Sequence, residues 1–309
     1  MTARKRLIAA VLLVLGLPVL LVVFQALAFY SHNRNNGSIV SSDEKRQYLL
    51  YVPRSYDGSA PTPLVISMHG AGGWPTQQME ITEWNRVAER ERFIVVYPSG
   101  VGNAGPRVWH VGTGPGLTRD VRFISELIDK LEATYNIDRE RIYANGFSNG
   151  GGMAFVLSCA MSDRIAAVGM VGPAYTLAWN WCTERRPVPM IAIHGTADSF
   201  APYNGGTSWV VAEPLPSVPR WTANWARRNK CDPKPFEIAV AVDVMRREYT
   251  HCADDATVVL YAIQGGGHSW PGGKPLPEFF VGPTSRSIDA SRQMWEFFRA
   301  HPLPRGMDR

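Results

Sequence analysis

The most informative segment of the sequence is RIYANGFSNGGGMAFVLS, residues 141–158. A strand-like run reaches Ser148 inside Gly-Phe-Ser-Asn-Gly, and a helix-like run follows it. A tight strand-to-helix turn lifts a serine hydroxyl above a sheet, and the flanking glycines let neighbouring chain approach the strained backbone. The pattern therefore predicts that Ser148 is a nucleophile. The alternative is an ordinary Gly-Ser turn, because G-x-S-x-G often occurs by chance.

Short apolar runs alternate with helical segments on both sides of this stretch. Runs that are apolar at every position are typical of strands buried on both faces of a parallel sheet. The alternation predicts an α/β fold with a mostly parallel central sheet and helices on both faces. The strand-like segments are 47–53, 63–70, 92–100, 141–146, 165–174, 187–198, 244–252 and 257–270, and the helical ones are 118–138, 148–162, 220–229 and 287–301.

The carboxyl ends of parallel strands meet at one rim of such a sheet, and ligands bind there. The glycine-rich MHGAGG, residues 68–73, follows an early strand and can turn N–H groups toward a developing oxyanion. We expect Ala71 to supply one of these N–H groups and Asn149, at the start of the next helix, to supply the other. His69 is expected to orient the loop. The alternative is a plain turn after a strand.

A serine nucleophile needs a histidine base and a carboxylate that orients the base. In this type of fold the chain order is serine, acid, histidine. Asp198 in HGTADSF and His268 in QGGGHSWPGG follow that order, each after an apolar strand. Asp120 is an alternative acid, but it precedes the serine and fits a helix cap better. The remaining candidates fit the two roles less well: His194, His251, His301, Asp254 and Asp255.

The N-terminus predicts export. From Leu7 to Tyr30 the chain has no charged residue, and a basic Arg-Lys-Arg precedes the run. As a helix it would be about 35 Å long, enough to span a bilayer. It is either a cleaved signal peptide or an uncleaved anchor. The expected organisation is this segment at 1–30, a polar linker at 31–45, a catalytic domain at 46–300 and a tail at 301–309. The domain would be secreted or periplasmic, or held outside the membrane by residues 7–29.

The four cysteines agree with export. An even count in an oxidising compartment suggests two disulfides, although sequence alone permits three pairings. The sequential pairing joins Cys159 to Cys182 and Cys231 to Cys252, and it closes the shortest loops. The alternative is four buried free thiols.

Composition limits the partners. The 309 residues are 45% hydrophobic and 19% charged, which is ordinary for a globular protein. The formal net charge is +5, but three positive charges lie at residues 4–6, so the rest of the chain is close to neutral. No basic patch interleaved with aromatic residues is visible, so nucleic acid is not expected as a partner. The chain has no zinc-type ligand spacing, and neither a metal nor another cofactor is expected.

Some of the ten tryptophans are candidates for binding. Five of them lie in or near predicted rim loops: Trp74, Trp109, Trp209, Trp221 and Trp225. Trp270 lies with Trp209 in the loops before and after the acid. Aromatic faces suit sugar rings and cinnamoyl groups, so Trp74, Trp109 and Trp270 are predicted to contact substrate. For each of them the alternative is ordinary packing.

Four motifs carry a family resemblance. MHGAGG, YANGFSNGGGMA, IHGTAD and GGGHSWPGG together resemble the polyhydroxybutyrate depolymerase-like and feruloyl or acetylxylan esterase family of α/β-hydrolases, from about residue 46 to 300. The resemblance implies the α/β-hydrolase fold, with Ser148 as nucleophile, Asp198 as acid and His268 as base. The family pattern also has a cysteine on each side of a loop before the histidine, here Cys231 and Cys252. Many polyester depolymerases carry Cys at the position of Ala71, a change that a backbone donor tolerates.

The resemblance implies an exported serine carboxylesterase that acts on feruloyl or acetyl esters of plant polysaccharide. One alternative is a polyhydroxybutyrate depolymerase that acts on polyester oligomers. A prolyl-oligopeptidase-like peptidase would need a large extra domain, for which the chain has no room. A different class is a non-catalytic carbohydrate-binding protein that uses its tryptophans, and the full Ser-Asp-His order argues against it.

Overall fold

The computed structural model describes residues 34–102, 107–208, 210 and 214–304. The chain divides into two units, Met1–Arg34 and Asn35–Arg309, and the fold is that of the second. The segment 1–30, expected to be a signal peptide or an anchor, lies outside the described residues, so that expectation stays a prediction. Across the described ranges, no helix is both long and apolar enough to cross a membrane.

In the described part of the chain, ten strands form one sheet. They are β1 (Gly37–Ser41), β2 (Glu44–Tyr51), β3 (Thr62–Met68), β4 (Ile94–Pro98), β5 (Ile137–Phe147), β6 (Ala167–Val171), β7 (Met190–Gly195), β8 (Phe236–Ala241), β9 (Val244–Tyr249) and β10 (Val258–Ile263). Their order across the sheet is β1-β2-β4-β3-β5-β6-β7-β10-β9-β8. The central strands from β4 to β10 pair in parallel, and the pairs at both edges are antiparallel. The predicted mostly parallel sheet is confirmed.

Helices cover both faces of the sheet. Those in the described ranges are α1 (Pro75–Thr82), α2 (Trp84–Glu91), α3 (Pro115–Glu132), α4 (Asn149–Ala160), α5 (Val218–Arg228), α6 (Glu278–Val281) and α7 (Ala290–Arg299). One core contains buried side chains of α3, α4 and α5. The other contains side chains of α1, α2 and α7. This is the α/β-hydrolase fold that the motifs implied.

The spacing of apolar residues explains why β3 is a central strand and why α3 is a helix. All seven residues of β3 are buried, as expected of a central strand covered on both faces. In α3 the buried residues recur at helical spacing, from Leu117 through Phe123 and Leu127 to Leu131. Pro115 begins this helix at a position where no backbone N–H is needed.

The domain is longer than the sequence predicted. β1 lies inside the expected linker at 31–45, so that part of the prediction is wrong. Asn36 fixes the start of β1, because its amide donates to the Leu50 carbonyl at 2.8 Å and accepts from the Leu50 N–H at 2.7 Å. At the other end, Leu303 of the expected tail is buried, and its N–H donates to the Glu140 carbonyl at 2.7 Å. Both segments are therefore part of the sheet domain.

Two disulfides lie on the α4 and α5 side of the molecule. Cys159, near the end of α4, is bonded to Cys182, and Cys231, just after α5, is bonded to Cys252 after β9. This is the sequential pairing that the sequence analysis expected. Each bond closes a loop of about 20 residues, which contributes roughly 3 kcal/mol in the chain-entropy model.

Candidate active site

Ser148 lies at the corner between β5 and α4. Its backbone has φ 52° and ψ −117°, an unusual conformation for a residue with a side chain. Neighbouring chain holds this corner: the Ser148 N–H donates to the Val171 carbonyl at 2.9 Å, and the Ser148 carbonyl accepts from the N–H groups of Gly152 and Ala174. The half-buried side chain faces a cavity at the carboxyl rim of the sheet.

Two glycines make this corner possible. A Cβ added to Gly146 would lie 2.2 Å from the backbone of Gly150 in the next helix turn. A Cβ added to Gly150 would lie 2.2 Å from the Met68 carbonyl oxygen at the end of β3. Backbone atoms cannot move aside without moving whole elements, so only glycine allows β3, β5 and α4 to approach this closely.

His268 and Asp198 form a buried pair. Asp198 follows β7, and its Oδ2 lies 2.7 Å from His268 Nδ1, in the loop after β10. Its Oδ1 accepts the backbone N–H groups of Phe200 and Ala201, both at 2.8 Å. Burial alone would raise the pKa of Asp198, but hydrogen bonds from His194 and His268 outweigh it and hold the pKa below its usual range. The carboxyl group therefore stays ionised beside the imidazole.

Two aromatic rings hold the His268 ring. The Phe147 ring lies 4.8 Å from it between centroids, and the Phe200 ring is stacked on it at 4.7 Å and 12°. The backbone N–H of His268 donates to the Val281 carbonyl of α6 at 2.6 Å. The imidazole is thus fixed by its partner acid, by two ring contacts and by its own backbone.

The loop after β3 is built around a second histidine. His69 Nε2 accepts the Gly100 N–H at 3.0 Å, so Nδ1 carries the proton and donates to the Gly70 carbonyl at 2.8 Å. Burial lowers the pKa of His69 to about 4, which keeps the ring neutral. Gly73 closes the turn with a bond from its N–H to the Gly70 carbonyl. Ala71 stands exposed at the tip of this turn.

One cavity of about 310 Å³ joins these groups. The sequence-predicted residues on its wall are Ala71, Ser148, Asn149 and His268, and the rest of the wall is mainly apolar: Val111, Ala174, Thr176, Phe200, Ala201 and Val210. Such a volume and lining suit a small organic ligand. A larger cavity of about 580 Å³ is lined by charged and polar side chains such as Lys45 and Arg46, and none of the candidate site residues lies on its wall.

The structure does not support the tryptophans as open binding faces. Trp109 and Trp270 are each 2% exposed, and their ring nitrogens donate to the His69 carbonyl and to Ser291 Oγ. Trp74 is half-buried at the start of α1 and does not line the cavity. Packing is the physical reason: each buried indole satisfies its N–H inside the domain. Trp209 lies outside the described residues.

The alternative acid and bases lie in other surroundings. Asp120 is fully buried and pairs with Arg46 at 2.9 Å and with His110 at 2.9 Å. His194 is buried beside Asp198, with Nε2 2.7 Å from the Ala201 carbonyl. His251 is exposed and bonded to Asp232. The remaining alternatives, His301, Asp254 and Asp255, do not line the cavity.

Sequence reasoning missed Phe147 and Phe200 as neighbours of His268. Both adjoin a motif, since Phe147 precedes Ser148 and Phe200 follows Asp198 by two positions. An aromatic residue beside each motif was the available signal. Among the described residues, no group of three or more His, Cys, Asp or Glu side chains could hold a metal ion.

Comparison with known proteins finds relatives that are named as esterases. Residues 46–178 match the family model described as Esterase PHB depolymerase. Feruloyl esterase B of Piromyces equi is 30% identical over 237 residues, which cover 74% of this chain and 44% of that protein. Feruloyl esterase C of Emericella nidulans is 28% identical over 263 residues, 82% of this chain and 84% of that one. A bifunctional acetylxylan esterase/xylanase of Neocallimastix patriciarum is 34% identical over 160 residues, 51% of this chain. The chain covers less than half of the Piromyces relative and 22% of the Neocallimastix one.

Solved structures show the same fold at lower identity. An acetyl xylan esterase from Aspergillus awamori superposes with a TM-score of 0.58 at 16% identity, over 85% of this chain and 98% of that one. A ferulic acid esterase from Anaeromyces mucronatus, in complex with ferulic acid, superposes with a TM-score of 0.52 at 17% identity, over 86% and 89%. These comparisons confirm the resemblance that the four motifs carried: residues 46–178 match the Esterase PHB depolymerase family model, and the chain has the α/β-hydrolase fold.

Proposed function

We propose that this protein is a serine hydrolase that cleaves carboxylic ester bonds through an acyl-enzyme. One observation carries the proposal: Ser148, on a strained strand-to-helix corner, lines the same cavity as His268, whose Nδ1 lies 2.7 Å from the Asp198 carboxylate. Nucleophile, base and orienting acid thus come from the loops after β5, β10 and β7. The esterase relatives support the same chemistry.

The mechanism assigns one role to each group. Ser148 Oγ attacks the ester carbonyl carbon while His268 takes its proton. Asp198 holds the imidazole with its proton on Nδ1 and stabilises the imidazolium that forms. The oxyanion accepts hydrogen bonds from the backbone N–H groups of Ala71 and Asn149. His268 then protonates the leaving alcohol, and a water molecule repeats the sequence to release the acid.

The position of Asn149 supports its proposed role. It is the first residue of α4, and the first N–H groups of a helix have no acceptor within the helix. The dipole of α4 also points its positive end at the developing oxyanion. One such donor contributes roughly 3 kcal/mol to transition-state stabilisation.

For the substrate we propose feruloyl or acetyl esters of plant polysaccharide. The relatives named as feruloyl and acetylxylan esterases support this class. The mainly apolar wall of the cavity suits a planar aromatic or small acyl group. Phe280 of α6 extends that wall outward: its ring is 5.2 Å from Phe200, and it is 54% exposed. With Phe279, 94% exposed beside it, it offers aromatic surface to the sugar side of the ester, in place of the buried tryptophans.

Export also belongs to this proposal. Two disulfides on the described domain fit an oxidising compartment outside the cytoplasm. Polysaccharide substrates lie outside the cell, so an esterase that acts on them must be exported.

A fluorophosphonate probe tests the nucleophile. We expect stoichiometric labelling at Ser148, identified by peptide mapping, and loss of both labelling and ester turnover in Ser148→Ala by several orders of magnitude. Ser158→Ala is the matched control, because this buried serine lies in the same helix but does not line the cavity, and its hydroxyl bonds to the Phe155 carbonyl and to Arg228. Labelling that persists in Ser148→Ala, or a variant that keeps a tenth of the turnover, would contradict the proposal.

A polyhydroxybutyrate depolymerase acting on soluble oligomers is the second candidate, and the match to the Esterase PHB depolymerase model favours it. Both candidates share the proposed catalytic groups and differ in the pocket. We expect a higher kcat/KM for release of ferulate or acetate from a sugar ester than for release of 3-hydroxybutyrate from an oligomer. A ratio reversed by tenfold or more would assign the protein to the depolymerases.

A further inference from the structure

The segment at residues 107–110 lies between the two loops that carry the proposed oxyanion donors. The Arg107 carbonyl accepts the N–H of Gly72, which follows Ala71 in the first loop. Two positions later, Trp109 contacts Asn149, the residue that carries the second donor. One short piece of chain therefore touches both sides of the site.

The contact between Asn149 and Trp109 is a two-point pairing of a side chain with a backbone. The Trp109 N–H donates to Asn149 Oδ1 at 2.6 Å, and Asn149 Nδ2 donates to the Trp109 carbonyl at 3.0 Å. Two hydrogen bonds to one side-chain amide leave it little freedom to rotate. Because Asn149 is the first residue of α4, this pairing also fixes where its backbone N–H points.

The same tryptophan reaches the other loop through its ring. Trp109 Nε1 donates to the His69 carbonyl at 3.1 Å, and the indole lies 5.4 Å from the His69 ring between centroids. The side chain is 2% exposed, so these contacts are held inside the domain. Ala71 stands two residues after His69, in a turn that the His69 ring and the Gly70 carbonyl brace.

We propose that Trp109 and the side chain of Asn149 form an oxyanion clamp that sets the separation between the N–H of Ala71 and the N–H of Asn149. Both are positioning residues in this role, since the clamp acts on the donors and not on the substrate. The inference rests on the proposed function. In this role Trp109 positions the two donors, whereas the sequence predicted that it contacts substrate.

Geometry explains why such a clamp matters. An oxyanion donor is effective only within about 3 Å of the oxygen as it stands in the transition state. A displacement of about 1 Å costs on the order of 100-fold in rate. The two donors lie on loops after different strands, β3 and β5. These strands are paired in the sheet, and the contacts of Trp109 add a direct connection between the two loops beyond that pairing.

The test removes one contact at a time. Trp109→Phe keeps a buried aromatic ring but loses the bond to the His69 carbonyl, and Asn149→Ala keeps the backbone N–H but loses the pairing. We expect kcat on a soluble aryl ester to fall about 10- to 100-fold in each, with KM changed less than threefold. The inhibition constant of a boronic acid, which mimics the tetrahedral intermediate, should weaken by a similar factor.

The chain supplies a matched control for each variant. Trp225 is also fully buried and donates its indole N–H to a backbone carbonyl, that of Val188 at 2.9 Å, so Trp225→Phe removes the same kind of bond away from the cavity. Asn36 makes the same two-point pairing with Leu50, so Asn36→Ala is the control for Asn149→Ala. We expect kcat within twofold of wild type in the folded fraction of both controls.

Each outcome has one meaning. If the two clamp variants keep wild-type kcat and boronic acid affinity while Ser148 remains labelled by the probe, the clamp is disproved and the proposed function stands. If Ser148→Ala keeps its activity, the proposed function itself fails. If Trp109→Phe does not fold, the kinetics of Asn149→Ala alone test the clamp. If a clamp variant loses thermal stability but keeps the kcat of wild type, the contact is structural and the clamp is disproved.

Discussion

Two buried histidines at the carboxyl rim of the sheet have opposite surroundings. His268 is 4% exposed and His69 is 1% exposed, and each lies in a glycine-rich loop after a strand. His268 faces the cavity and has a carboxylate on Nδ1. His69 uses both ring nitrogens on backbone groups, and burial lowers its pKa to about 4.

The hydrogen-bond partners of a buried histidine therefore determine its chemistry more than its burial does. A proton added to His268 meets the negative charge of Asp198. A proton added to His69 would have to displace the Gly100 N–H from Nε2, in surroundings that offer no compensating charge. For this reason we propose the first ring as the base and assign to the second the support of its loop.

The largest expected effect follows from removing the Asp198 carboxylate beside His268. Asp198→Asn should lower kcat by about 10⁴-fold with little change in KM, because an amide favours the wrong imidazole tautomer and cannot stabilise the imidazolium. Steady-state kinetics on an aryl ester measure this. Asp120→Asn is the comparison variant, since Asp120 is an equally buried acid; if it lowered kcat more than Asp198→Asn at equal folded fraction, Asp120 would be the acid.

The low pKa of His69 predicts how the stability of the protein depends on pH. The pKa of His69 is about 4 in the folded protein, against about 6.5 for a histidine in the unfolded chain, so the unfolded chain binds the extra proton first as pH falls. The neutral ring's contribution to stability is therefore complete above about pH 6.5 and is lost progressively toward pH 4. This difference corresponds to about 3 kcal/mol.

Chemical denaturation of wild type and His69→Gln at several pH values measures this contribution. We expect the stability advantage of wild type to shrink by about 3 kcal/mol between pH 7.5 and pH 4. The exposed His251, changed to Gln, is the control. Stability curves of wild type and His69→Gln that run parallel over this interval would show that His69 titrates normally.

The smallest expected effect concerns the ring that holds His268. Phe200→Leu removes the stacked contact at 4.7 Å but keeps an apolar side chain of similar size. An aromatic contact contributes roughly 1 kcal/mol, so we expect kcat to fall about fivefold. Phe297→Leu is the matched control. The Phe297 ring lies 4.2 Å from the His301 ring between centroids, and this pair does not line the cavity. Equal kcat in Phe200→Leu and wild type would mean that Asp198 and the loop backbone alone fix the ring.

The central part of the sheet was predictable because the residues of each strand themselves show the burial pattern. β3, β4 and β10 are apolar at nearly every position, and a strand buried on both faces requires that pattern. The corner at Ser148 was predictable because only glycine suits positions 146 and 150. The chain order of serine, acid and histidine then narrowed the candidates for the site.

The rest of the molecule depended on contacts that are distant in sequence. Every residue of the edge strand β8 is at least partly exposed, so its apolar residues give no burial pattern. β1 has only five residues, GSIVS, between polar neighbours, so the sequence predicts a linker there. It forms a strand because it pairs with β2. The direction of the Trp109 ring depends on an acceptor 40 positions earlier, the His69 carbonyl, which no local pattern indicates.

The strand order of the sheet also has a consequence for biosynthesis. Ser148 and both proposed oxyanion donors lie within residues 46–178, whereas Asp198 and His268 follow, the last of them 120 residues after the serine. At the usual rate of translation this interval lasts roughly ten seconds. During it the growing chain carries a serine with no base, because β10 must first pair with β7 to bring its loop to the rim. On the proposed assignment, a nascent chain that stops before His268 lacks its base, and we expect it to be inert toward esters.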